Sequence, residues 1–412
     1  MWSAVCIATI AAATAGSRVG AGVRSPAVSA SAVRMATVAP NAPPAAATTE
    51  EVEMAQCPET AWGARMDIRS AQQELREKKR SEFPHEVSAA AVAPGSDTDA
   101  QLAYFREHGA ELRAQMLEHG AVVLRGFELT KTPEGFQSMY EALGLEPCLD
   151  PLHSVSARPM VDKKSAVYEA VNKESRKNFF IGMHNEFVGK RAPRRAAFVC
   201  FKPAEEGGEF LLADGRSMLA DIDTELLERL YERSIRYSVM ELPFFGWLDS
   251  VPEPLRNPLM GIIKGAVGAA LNAKVDFDVE LVWGEGGYDG VRMLQARAPV
   301  QPPAVRHPES GEPTWFCNVH SHSSMLRKRR EELYGAERFE SGASQINKSD
   351  MYYGDGAELS ASELDHLDKV TMANTKFVKM QQGDVVLLDN YMTMHGRNVF
   401  DGTRKHAVTW FK

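Results

Sequence analysis

Two imidazoles and one carboxylate, set far apart in the chain, are the residues best equipped for chemistry. His184-Asn185-Glu186 follows an apolar run ending at Met183. His395 lies in Asp389-Asn390-Tyr391-Met392-Thr393-Met394-His395-Gly396-Arg397, just beyond the buried-strand pattern Val385-Val386-Leu387-Leu388. In an extended strand residues i and i+2 point to the same face, so His184 and Glu186 can offer two ligands to one metal while Asn185 points away. Two His and one carboxylate on one face of a metal, with the opposite positions open, form the ligand set of non-haem Fe(II) oxygenases. Singly, each residue has a plainer reading. An HxE pair is also what a surface His beside a solvated acid looks like, and a His near the end of a buried strand can be a hydrogen-bonded core residue. Arg404 leads into the apolar run Ala407 to Phe411, where a guanidinium is either exposed at the strand start or buried against a carboxylate.

The elements that must position these residues can be read from periodicity. Leu102, Phe105, Leu112 and Met116 recur at helical spacing, with Gly120 as the stop and Ala121-Val122-Val123-Leu124 as a buried strand after it. Thr132-Pro133-Glu134 opens a second helix, with apolar Phe136, Met139, Tyr140 and Leu143. Ala196 to Phe201 reads as a strand, Gly207-Gly208 as a turn, and Leu219, Ile222, Leu226 and Leu230 as helical. Residues 241–300 form a possible lid or insert. Within it, Gly261 to Ala273 is apolar but too short to span a membrane, which predicts a buried or lid helix. Strands return at Thr314 to Asn318, Ser360 to Glu363 is a capping-box signature, and Val385 to Leu388 and Ala407 to Phe411 close the chain. Helices first, then scattered strands with long connections, predict an α+β chain: a β-core decorated by flanking helices.

The 412 residues suffice for one large domain or two ordinary ones, and 44% hydrophobic with 25% charged residues is the composition of a globular protein. A net charge of −8 argues against a nucleic-acid footprint, which is basic. The five Cys (Cys6, Cys57, Cys148, Cys200 and Cys317) are widely spaced and lack a CxxC or CxxH pattern, so they read as reduced thiols. Residues 1–48 carry Arg18, Arg24 and Arg34, no acid, and much Ala, Ser, Thr and Pro, the composition of an organellar transit peptide, with plastid favoured over mitochondrion. Residues 49–80 are charge-dense, a linker or a peripheral helix, and the globular domain is expected over 81–412.

Taken together and in order, the motifs resemble the TauD/TfdA-like Fe(II)/2-oxoglutarate dioxygenases, in their clavaminate synthase-like and SyrP-like branch. The resemblance runs over roughly residues 80 to 412. It is carried by His184-Asn185-Glu186, then by Pro203-Ala204-Glu205-Glu206-Gly207-Gly208-Glu209 with Asp214, then by His307-Pro308-Glu309-Ser310-Gly311 leading into Trp315-Phe316. It continues through Gly383-Asp384, Asp389-Asn390, His395-Gly396-Arg397 and Arg404-Lys405. The resemblance implies a double-stranded β-helix (a jelly roll) whose interior holds Fe(II). His184, Glu186 and His395 would be the ligands, and Arg404 would pair with the far carboxylate of 2-oxoglutarate. It further implies a small-molecule substrate, consumption of O₂, and release of succinate and CO₂. A carboxylate or amine on that substrate is expected at family level, and Glu186 disfavours halogenation, since family halogenases lack the carboxylate ligand. No nucleic-acid or membrane partner is expected, and the oligomeric state is open.

One position departs from the pattern. Where the family usually has Thr after Gly-Gly-Glu/Asp, this chain has Phe210. A hydroxyl hydrogen bond to a charged group is worth about 1.5–3 kcal/mol, so its loss predicts roughly 10- to 100-fold weaker cosubstrate binding. Two alternatives stay open at this point: a non-catalytic jelly-roll binding or regulatory protein, and an iron oxygenase that does not use 2-oxoglutarate. Lys190-Arg191 with Arg194-Arg195 is either an attractor for an anionic substrate or a solvated loop. Asn318, His320 and His322 either line a pocket or the surface, or give an HxH pair for a second metal.

Overall fold

The computed structural model describes residues 55–412 apart from 61, 64, 96, 152–158, 163–166, 171–179, 244–245, 273–278, 285–292 and 335–349. The expected transit peptide over 1–48 lies outside the described residues, as do Glu285 to Gly287 of the Gly-rich stretch.

Helix α1 (Ile68–Glu77) opens the regular structure, capped by Asp67, whose side chain accepts from Ser70 N. Its buried Ile68, Ala71 and Leu75 join the core cluster that also holds Leu219, Leu226 and Leu230. Gln72 is fully buried and donates to the carbonyls of Leu219 and Ile222. Of the two readings of this charge-dense stretch, a linker or a peripheral helix, residues 68–77 take the helix, and it is docked: the charges cover one face while every fourth or third residue is inserted.

Strand β1 (His85–Ser88), helix α2 (Thr98–His119) and strand β2 (Ala121–Arg125) follow. Gly120 takes φ +80° to turn α2 into β2, a conformation that only Gly adopts at little cost. Helix α3 (Pro133–Ala142) starts with Pro133 in its first turn and Thr132 accepting from Gly135 N. Strands β3 (Pro147–Cys148), β4 (Met160–Asp162), β5 (Val167–Glu169), β6 (Ile181–His184), β7 (Arg195–Lys202), β8 (Glu206–Gly207) and β9 (Phe210–Asp214) come next. Helices α4 (Gly215–Asp221) and α5 (Thr224–Arg233) then lead to β10 (Ile235–Pro243), α6 (Glu253–Asn272), β11 (Glu280–Gly284), β12 (Met293–Arg297), β13 (Ala304–Arg306) and β14 (Pro313–Trp315). The last third holds α7 (Val319–His322), α8 (Ser324–Tyr334), β15 (Met351–Tyr353), α9 (Ala361–Asn374), β16 (Thr375–Val378), β17 (Val385–Asp389), β18 (Thr393–Arg397), β19 (Phe400–Asp401) and β20 (Lys405–Phe411).

Two sheets matter for the site. The larger runs β1-β2-β17-β7-β20-β5-β4, with β3 on the end of β20, and the smaller runs β16-β9-β18-β6. Their facing side chains share one core. Val123, Phe198, Cys200, Val386, Leu388, Val408 and Trp410 of the larger sheet pack with Phe210, Leu212 and Val378 of the smaller. Burying one apolar face of each sheet against the other is what holds the pair together. The chain is thus a mixed helix-and-sheet protein, and helices α2 and α3 cover the outer face of the larger sheet through Phe105, Leu112, Phe136 and Tyr140.

The region expected as a lid or insert is partly regular. β11, β12, β10 and β15 form a four-stranded sheet, with Leu281, Leu294 and Ala296 buried. Of the two readings of its apolar run, a buried or a lid helix, helix α6 does not take the buried one: Ile262 is 68% exposed, and among the described residues of the run only Val267 and Leu271 are buried. Much of that run is Gly and Ala, which lose little by facing water. Among the described residues no helix is long and apolar enough to cross a membrane.

Candidate metal centre

His184 is the last residue of β6, and its Cα pairs with that of His395 on the neighbouring β18. Register alone brings together two residues that the sequence holds far apart. The ring centroids lie 4.4 Å apart. Glu186 follows β6 rather than lying in it, so the i, i+2 strand argument holds only as far as His184. Even so, the ligand atoms of His184, Glu186 and His395 all lie within 4.8 Å of one another, the one such group found among the described residues. Donors around one ion sit about 2.0–2.2 Å from it, so small side-chain rotations close this set on a metal.

The strands must approach closely here. A Cβ on Gly182 would sit 2.6 Å from the His320 carbonyl oxygen, and one on Gly396 would sit 2.5 Å from that of Ile181. The imidazole of His184 places Nδ1 2.8 Å from the Gly182 carbonyl oxygen, which fixes Nδ1 as the protonated nitrogen and leaves Nε2 as a donor for metal. His395 is walled by aromatic rings: Phe198 at 4.9 Å, Trp410 at 6.1 Å and, parallel to it within 5°, Phe210 at 6.0 Å.

Glu186 is held by its backbone. Asn390 Oδ1 accepts from Glu186 N, while Asn390 Nδ2 donates to the carbonyls of Glu186 and Pro193. In return Asn185 Nδ2 donates to the Asn390 and Thr393 carbonyls, and Asn185 N donates to Asn318 Oδ1. Asn185 is thus a buried clamp and not a bystander. Asp389 keeps the other side of this joint: it accepts from Tyr391 N and Met392 N and binds His307 Nε2 at 3.1 Å. The sequence showed Asp389-Asn390 and His307 as motif residues without a role, and Asn318 only as a residue lining a pocket or the surface. Their partners lie across the fold.

Arg404 is buried, at 4% exposure, just before β20. Its guanidinium donates to His406 Nδ1 at 2.9 Å, and burial lowers its pKa to about 10, so it stays charged at neutral pH. The exposed strand-start reading is thereby excluded. His406 is pushed well below the ordinary His range by burial and by the positive charges of Arg404 and Arg397, and is neutral. Arg397 and Arg404 both face the Phe400 ring, with their guanidinium carbons 4.7 and 5.9 Å from its centroid. Phe210 is the register partner of Arg397, so a continuous patch runs from His395 past Phe210 to the two cations.

The HxH spacing does not build a second metal site among the described residues. His320 Nδ1 accepts from Met183 N and Nε2 lies 3.1 Å from Asp368, a carboxylate that Arg330 also binds. Burial lowers its pKa. His322 packs against Tyr237 at 4.9 Å and is lowered to about 3 by burial, by Arg327 and by nearby His184. One ring anchors β6 and the other is a neutral neighbour of the triad. Of the basic stretch, Lys190 and Arg194 are solvated, and Arg195 pairs with Glu309 at 2.5 Å.

Dapdiamide synthesis protein DdaC of Enterobacter agglomerans is 25% identical over 77% of this chain and 89% of its own length. A clavaminate synthase-like protein of Arabidopsis thaliana is 26% identical over 70% of this chain and 80% of its own. A solved asparagine oxygenase with Fe(II), 3-hydroxyasparagine and succinate aligns with TM-score 0.44 and 14% identity over 84% of this chain and 92% of that one. The profile of the taurine catabolism dioxygenase TauD, TfdA family matches residues 82–410, and the chain belongs to that family.

Proposed function

We propose that this Fe(II)/2-oxoglutarate-dependent dioxygenase hydroxylates a small carboxylate- or amine-bearing metabolite, with His184, Glu186 and His395 holding the iron and Arg404 holding the far carboxylate of 2-oxoglutarate. The observation that carries the assignment is the triad: three ligand atoms within 4.8 Å, drawn from β6, its following loop and β18. The donor chemistry fits, because two imidazoles and one carboxylate leave three positions for a bidentate 2-oxo acid and O₂. The two packed sheets support the double-stranded β-helix expected from the resemblance. Bound there, iron and 2-oxoglutarate supply the oxidising chemistry, with succinate and CO₂ as co-products. The chain supplies the rest. Gly182 sets the His184 tautomer, the Asn185–Asn390 joint fixes Glu186, Phe198, Phe210 and Trp410 keep the His395 side dry, and a planar guanidinium at Arg404 matches a carboxylate. The acid-poor composition of residues 1–48 supports an organellar location, plastid before mitochondrion. A full-length fluorescent fusion that stays in the cytosol would overturn it.

Anaerobic titration of the full chain with Fe(II) and then 2-oxoglutarate tests the proposal. A visible charge-transfer band is expected. Iron binding without the band would instead support an oxygenase with another cosubstrate, and no iron binding a non-catalytic module. His395→Ala should abolish both iron binding and succinate release, and succinate formed at an unchanged rate would sink the triad assignment. Substrate-stimulated succinate release across a panel of amino and carboxylic acids then identifies the metabolite.

A further inference from the structure

Residues 55–60, before α1, form a strap beside the turn that follows Glu186. Leu149 N donates to the Ala55 carbonyl, Ala192 N to that of Pro58, and Thr60 N to that of Lys190. Glu59 bridges to Arg191. The strap therefore joins the end of β3 to the turn at 188–192 that directly follows Glu186, and Trp62 packs beside Phe187 on the cluster of Ala192, Phe316 and Tyr391. Among the described residues three backbone hydrogen bonds tie it to the rest of the chain, a small number for a segment that has to open only locally.

On this strap Cys57 faces Cys148 of β3, with the sulfur atoms 3.1 Å apart and the residues 3% and 0% exposed. A disulfide needs about 2.05 Å between the sulfurs, so a shift of roughly one ångström separates the thiol pair from a bond. We propose that Cys57 and Cys148 are a reversible thiol–disulfide site that fastens the strap behind the Glu186 loop. The chemistry is exchange with a small disulfide such as oxidised glutathione. Cys57 attacks it and releases one glutathione thiol. Cys148 then displaces the second, forming the Cys57–Cys148 bond. Each protein sulfur loses one electron and one proton, and one glutathione disulfide becomes two thiols.

The surroundings set the rate and the selectivity. Cys57 also donates to the Leu149 carbonyl at 2.8 Å, and the hydrogen bond with Cys148 together with burial holds its thiol protonated, well above the ordinary range. The closed pair is therefore slow to react and exchanges when the strap lifts. Cys200 and Cys317 are pushed up to about 12 by burial and have no thiol neighbour among the described residues, so they serve as internal controls.

The test uses the full-length protein equilibrated in glutathione buffers of graded redox poise, alkylated, digested and mapped by mass spectrometry, with thermal unfolding in parallel. The expected result is a peptide pair linked through Cys57 and Cys148, two hydrogens lighter than its parts and reversed by dithiothreitol. Closing a loop between residues 91 apart should raise the Tm by about 5 °C. Neither change should occur in Cys57→Ala or Cys148→Ala, and either variant alone suffices should the other fail to fold. Free thiols at both positions under the most oxidising poise would overturn the site. A linked peptide with no change in Tm would overturn the fastening of the strap. Neither readout depends on catalysis.

Discussion

Replacing Phe210 by Thr restores the hydroxyl that the family pattern places there, and two opposing terms can be worked from the structure. Phe210 is 3% exposed, 4.7 Å from the Phe198 ring and parallel to His395, at the position paired with Arg397. Removing a buried Phe ring from such contacts costs about 3–5 kcal/mol of stability. A new hydroxyl bond to a carboxylate contributes about 1.5–3 kcal/mol to binding, or roughly 10- to 100-fold in Kd. The terms fall on different measurements, so one does not hide the other. The Phe210→Thr variant should unfold on the order of 5–10 °C lower, yet bind 2-oxoglutarate at least tenfold more tightly in anaerobic Fe(II) titrations that follow the charge-transfer band. Isothermal titration with the redox-inert analogue N-oxalylglycine gives a second measure of the same affinity. A variant that keeps its iron and loses stability as expected, but binds 2-oxoglutarate no better than the parent, refutes the placement of residue 210 in the cosubstrate pocket.

Three further outcomes follow from the same geometry. Arg404→Gln removes a buried cation from the 2-oxoglutarate carboxylate proposed to pair with it, a loss of about 3–5 kcal/mol, so the Kd for 2-oxoglutarate should rise at least a hundredfold while Fe(II) affinity is kept; an affinity within threefold of the parent would remove Arg404 from the site. Asn390→Ala cuts three hydrogen bonds around Glu186 and Pro193, and loss of such support costs roughly 10- to 100-fold in metal affinity, measured by competition with a chelator; unchanged affinity would leave the joint merely structural. His322 titrates near 3 and His406 also well below its ordinary range in the fold, whereas both take protons near 6.5 when unfolded. The unfolded chain thus binds more protons below pH 6.5, so this stability is complete above pH 6.5 and falls with acid by about 1.4 kcal/mol per pH unit for each group. Urea midpoints at pH 7 and 5.5 should show the loss, and His406→Gln should shrink it.

Local chemistry was readable wherever a few neighbouring residues decide it. Ser360 and Glu363 do form the capping box that opens α9, Thr132 and Pro133 start α3, and Gly120 ends α2, because each depends on bonds and torsions within one turn. The composition of the α6 run could not choose between a buried and a lid helix for the same reason: a Gly- and Ala-rich helix is apolar without being obliged to hide.

The sequence by itself determined which residue types stood ready, two imidazoles, a carboxylate and a guanidinium, and through ordered motifs which family they resembled. Only the tertiary structure decided that the two imidazoles and the carboxylate meet. His184 reaches His395 because β18 pairs with β6 in one register, and shifting that register by one residue would turn His395 to the other face. The Asn185–Asn390 joint, the docking of α1 and the approach of Cys57 to Cys148 likewise depend on contacts across 205, 147 and 91 residues. No local pattern encodes such separations, because the energy that selects them comes from closing a shared core.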